Sequence, residues 1–108
     1  MENQIGQING LSESESKEFL EIMNKIRGVE CNYYIREDFL EFKSIFTPIV
    51  ISILTGVASQ IIANVIYEFL KKKKDEGKNV SISINKINIF QNDNKGEIEN
   101  KINELVND

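Results

Sequence analysis

The chain has 108 residues, 41% of them hydrophobic and 28% charged, with 13 basic against 17 acidic side chains and a net charge of −4. That length suits one domain, and a hydrophobic share of this size belongs to a folded chain rather than a disordered one. Histidine is absent and cysteine occurs once, which removes the commonest general base and metal ligand, the Ser-His and Cys-His nucleophile pairs, and any internal disulfide.

Residues 1–10 contain Gly6, Asn9 and Gly10, with Ile5 and Ile8 as scattered apolar positions, and read as a flexible tail. They lack the basic and apolar regions of a secretory signal, so a cytoplasmic location is expected. Ser12 and Glu15 then stand at capping-box spacing, and Phe19, Leu20, Met23 and Ile26 recur at helical intervals until Gly28. Glu13, Glu15 and Glu18 near the start of this helix, and Lys25 and Arg27 near its end, complement its dipole.

Val29 to Ile35 alternates in polarity, which suits a short strand. Behind Glu37 and Asp38, the residues Phe39, Leu40, Phe42, Ile45 and Phe46 return to helical spacing. This second helix should end near Thr47, because Pro48 disfavours a helical residue before it. Thr47 would then cap a third helix, with Pro48 in its first turn.

No charged residue occurs between Ser44 and Tyr67, and the spacing predicts one long helix over about 48–74. Val50, Leu54, Val57, Ala58, Ile61, Ile62 and Val65 share one face of it; Ser52, Thr55, Gly56, Ser59, Gln60, Ala63, Asn64 and Tyr67 share the other. Small residues at Ser52, Gly56, Ser59 and Ala63 permit close helix approach, so that Gly56→Leu would overpack the contact. Together with Gln60, Asn64 and the tetrad Lys71, Lys72, Lys73 and Lys74, they form the candidate interaction surface. The tetrad has three roles open to it: a solvated helix end, a contact for anionic lipid, or a contact for an acidic partner. Residues 45–70 also have the length to span a bilayer. Against that reading, Gln60 and Asn64 fall near mid-span, and the charged residues before the span would have to be translocated.

Val80, Ile82 and Ile84 alternate, after which the parity shifts to Ile87 and Ile89. A two-residue turn at Asn85-Lys86 accounts for the shift by putting all five on one face of a hairpin. Asn92 to Gly96 is a polar turn without the length or closing Glu of a calcium loop, and Ile98, Ile102, Leu105 and Val106 stripe a last helix. The expected fold is α+β but mostly helical. It is a single domain over 11–108 with a long central helix, a short hairpin at about 80–90 and a C-terminal helix.

The six glycines form no phosphate loop. Glu37 with Asp38, and Glu97 with Glu99, are too close in sequence to face each other across a site. Cys31 in a candidate strand reads as a small buried hydrophobe, and a small enzyme built on it is the most distant option. With only one compact basic cluster, nucleic-acid binding is disfavoured. No cofactor, metal or catalytic residue is expected. The chain reads as an intracellular protein-binding module, an inhibitor, immunity or regulatory protein, with self-association through the small-residue stripe also admitted. Its wealth of Ile, Asn, Lys and Glu points to a bacterial or phage origin. The alternative is a membrane-anchored accessory protein using residues 45–70 as its single transmembrane helix.

Overall fold

The computed structural model describes residues 3–34 and 46–106. Along the chain come β1 (Asn3–Asn9), α1 (Glu13–Asn24), β2 (Val29–Tyr33), β3 (Phe46–Ile53), α2 (Ser59–Asp75), β4 (Ser81–Ile84), β5 (Ile87–Phe90) and α3 (Lys95–Val106). The strands join in one antiparallel sheet of order β2-β3-β1-β4-β5. The protein is α+β, but a five-stranded sheet replaces the mostly helical domain expected from the sequence.

Residues opposed across antiparallel strands share a face. Thr47, Ile8, Ile82 and Ile89 form one row, and Ile49, Gly6, Ile84 and Ile87 the next. Ile51 extends this face towards Cys31 on β2. These isoleucines pack with Phe19 and Met23 of α1, Ile62 and Ile66 of α2, and Ile98 and Ile102 of α3 in a single core. All three helices therefore cover one face of the sheet, while Ile5 and Phe90 on the other face are about half exposed.

Two expectations fail for related reasons. The segment read as a flexible tail contains β1, the middle strand. A strand paired on both sides draws its hold from backbone hydrogen bonds and needs few large side chains, so Ile8 alone is fully buried there. Gly6 is required by close approach, since a Cβ at that position would stand 2.2 Å from the carbonyl oxygen of Ser83.

The second failure is the long helix. Its first part is β3, where Ile49, Val50, Ile51 and Ile53 supply the branched side chains that strands favour. An interior strand with apolar residues on both faces loses polar-apolar alternation and imitates a buried helix. Thr47 and Pro48 are thus strand residues and not a helix cap and first turn. The Thr47 and Ser16 hydroxyls hydrogen-bond at 2.8 Å. The Pro48 carbonyl accepts from the Tyr34 N–H at 3.0 Å. N–H and C=O of one strand residue point to the same side, so the donor that proline lacks would have met Tyr34, just past the end of β2, and no bond within that strand is lost. The helix expected behind Glu37 and Asp38 lies outside the described residues, except that Phe46 begins β3.

α2 starts only at Ser59, after a turn with Gly56 at φ +97°. Residues 45–70 are consequently no single transmembrane helix, and no helix among the described residues is long and apolar enough to cross a membrane. The hairpin at Asn85-Lys86 is present, with φ of 48° and 69° at the two turn residues. Ile84 pairs with Ile87 and Ile82 with Ile89. It forms the edge of the larger sheet, joined to β1 through β4.

Each edge strand has one residue whose outward backbone groups are met by a nearby residue. On β2, the Cys31 N–H donates to Asn24 Oδ1 at 2.8 Å, and Asn24 Nδ2 donates to the Cys31 carbonyl at 2.7 Å. Asn24 therefore occupies the place of one residue of a further strand. On β5, the Phe90 N–H donates to Asp93 Oδ2 at 2.9 Å, and the Asp93 N–H returns to the Phe90 carbonyl at 3.0 Å.

Candidate functional site

Asn24 also fixes the start of the α1–β2 turn, residues 25–28, and Gly28 fixes its end by accepting the Leu54 N–H at 2.8 Å. The β3–α2 turn is thereby tied beside the α1–β2 turn. Between them runs an open groove of about 820 Å³. Ile22 and Ile26 from the α1 side, Leu54 and Val57 from the β3–α2 turn, and Ile61 and Val65 of α2 line it, together with Lys25 and Arg27. Two smaller hollows adjoin it, and Leu54 lines all three.

Large apolar side chains in water mark contact surfaces when they cluster. Leu54 is 49% exposed and Ile61 53%, and the groove brings them together. No carboxylate lines it among the described residues. Lys25 and Arg27 have no ion-pair partner there, whereas Lys72, Lys73, Lys78, Lys95 and Lys101 are all paired with acidic side chains.

The surface expected from the sequence is dispersed. Ser52 lies buried on β3, hydrogen-bonded to Asn3. Gly56 sits in the turn, where a Cβ would meet nothing within 4 Å, so the overpacking expected of Gly56→Leu has no basis. Ser59 donates to Asn103 Oδ1 at 2.6 Å. Ala63 is buried against the core, while Gln60 and Asn64 are exposed on α2. Of this set only Gly56 lines the groove.

The lysine tetrad is divided too. Lys71 is exposed, Lys74 donates to Asn92 at 2.9 Å, and Lys72 lies 3.6 Å from Glu18. Lys73 is buried between α1 and α2, 3.3 Å from Glu76 and 3.4 Å from both Glu15 and Glu18. Burial pulls the Lys73 ammonium down in pKa, but its hydrogen bond to Glu76 and the charges of Glu18 and Glu76 outweigh this and leave it raised. Lys78 at 2.7 Å and the Ser12 backbone N–H hold the Glu15 carboxyl at about 2 against its ordinary 4.5. This network stitches two helices together and leaves only part of the tetrad facing solvent.

Cys31 is fully buried, and burial pushes its thiol up to about 12, so it stays protonated at neutral pH. Among the described residues no group of three or more Asp, Glu or Cys side chains is placed to hold a metal ion.

Leu54, Ile61, Lys25 and Arg27 are all visible in the sequence, but spacing places the first two on one face of a long helix and the last two at a helix end whose dipole favours cations. The Thr55-Gly56 pair after a β-branched run is the signal that separates strand from helix and exposes Leu54. Compared with protein-family models, curated proteins and solved structures, the chain matches none.

Proposed function

We propose that the protein is a non-catalytic binding module that takes an apolar anchor of another protein into the groove between the α1–β2 and β3–α2 turns. One observation carries this: two of the four large hydrophobic side chains most exposed to water, Leu54 and Ile61, share one concave apolar site. Such a module inhibits or regulates by occupying a surface. Its single, buried, unpaired cysteine suits a reducing cytoplasm.

The test is quantitative co-purification from the cells that make the protein. The tagged wild type is compared with a Leu54→Lys/Ile61→Lys double variant and with Phe90→Lys on the opposite sheet face, and melting curves check each fold. A stoichiometric partner held by the wild type and by Phe90→Lys, but lost from the double variant, supports the proposal. Retention of that partner by a folded double variant overturns it.

A further inference from the structure

The chemistry of the groove specifies its occupant further, on the premise that the groove is a binding site. We infer that it takes an acidic segment of a partner protein. In this arrangement one or two aliphatic side chains seat among Leu54, Val57 and Ile61, and flanking carboxylates meet Lys25 and Arg27.

The first ground is charge. In a chain of net charge −4, the described lining of this groove has two cations and no anion. Neither cation is neutralised within the described protein; five other lysines are, while Lys17, Lys71, Lys74 and Lys86, which do not line the groove, are not. A carboxylate arriving at Arg27 gains a bidentate hydrogen bond as well as charge.

The second ground is shape. The groove is open along its length between the end of α1 and the first turns of α2, which suits a peptide segment better than a small molecule, whose sites usually bury most of the ligand. Anionic lipid is the competing source of negative charge. Lipid recognition uses about 4–8 clustered Lys and Arg, whereas two stand here, and the lysine tetrad lies at the opposite end of α2.

Fluorescence anisotropy on the full chain tests this with three synthetic peptides of about 14 residues: Leu at helical spacing flanked by Glu, the same with Lys for Glu, and the Glu peptide with Ser for Leu. The Glu-Leu peptide should bind about tenfold more tightly than the other two, and the preference over the Lys peptide should shrink as salt rises from about 50 to 500 mM. Lys25→Glu/Arg27→Glu should invert the charge preference; both residues are exposed, so the fold should survive with a melting temperature lowered only by the lost complement to the α1 dipole. Leu54→Ser/Ile61→Ser should weaken both Leu peptides alike.

Equal affinity for both charges, or a preference unmoved by the charge reversal, overturns the acidic occupant while the Leu54/Ile61 effect sustains the groove. Binding that ignores Leu54→Ser/Ile61→Ser brings down the groove itself. Failure of every peptide at about 1 mM protein overturns the inference. Co-sedimentation with vesicles of about 30% phosphatidylglycerol that outcompetes the Glu-Leu peptide overturns it in favour of lipid.

Discussion

Glu15 serves three partners with one carboxylate. Oε1 accepts from the Ser12 N–H at 3.1 Å and the Ser12 hydroxyl at 2.8 Å, closing the capping box of α1, while Oε2 meets Lys78 and Lys73. A carboxyl held at about 2 when folded and 4.5 otherwise contributes stability in full above its unfolded value and loses it as pH falls from 4.5 towards 2. Urea midpoints measured across that window should therefore fall steeply for the wild type. In Glu15→Gln the fall should be shallower, from a lower starting value at pH 7. Gly56 makes a different demand. Its φ of +97° strains any L side chain even though the space beside it is open, so Gly56→Ala should cost about 1–2 kcal/mol. Gly56→Asn should cost less, because asparagine tolerates positive φ. Equal melting temperatures for Gly56→Ala and the wild type would show that the turn relaxes freely.

Edge strands invite pairing with other chains, and this sheet blunts both of its edges from within. Asn24→Ala removes two hydrogen bonds from the Cys31 backbone and one from the Leu20 carbonyl, with an expected loss of about 1–3 kcal/mol and faster amide exchange at Cys31. Asn24→Asp should not rescue it, since a carboxylate keeps the bond to the N–H but repels both carbonyls. In the hairpin, Lys86 holds a φ of 69° that glycine adopts without strain. Lys86→Gly should raise stability by up to about 1 kcal/mol, read as a higher melting temperature with cross-strand amide protection unchanged. The elements that sequence reasoning found are those whose cause is local: the Ser12-Glu15 cap starts α1, and the parity shift around Asn85-Lys86 makes the hairpin. β1 escaped because the reason for Gly6 is the Ser83 carbonyl, far along the chain. β3 escaped because an apolar run without alternation has no period to read. The groove escaped with β3, for Leu54 and Ile61 come together in it only because the chain turns between them at Gly56.

At the scale of the whole molecule, the groove and the ion network lie at opposite ends of α2. The groove uses Ile61 and Val65 near the start of the helix; Lys73, paired with Glu15 and Glu18, anchors its other end to α1. Substitutions in one should leave the other intact, which is why groove variants can be checked for fold by melting curve. The place of β1 has a further consequence, for synthesis on the ribosome. β1 hydrogen-bonds to β3 on one side and to β4 on the other, yet it leaves the exit tunnel long before β4. At roughly 5–20 residues per second the wait is on the order of ten seconds. During it the nascent strand can dock only on β3, leaving Ile8 half covered and an open sheet edge exposed to chaperones. Ribosome-bound chains with residues 1–78 clear of the tunnel should therefore be cut readily by protease within residues 3–34 or 46–53. Chains carrying all of residues 1–108 clear of the tunnel should resist, and equal resistance in the two would show that β1 is secured before β4 arrives.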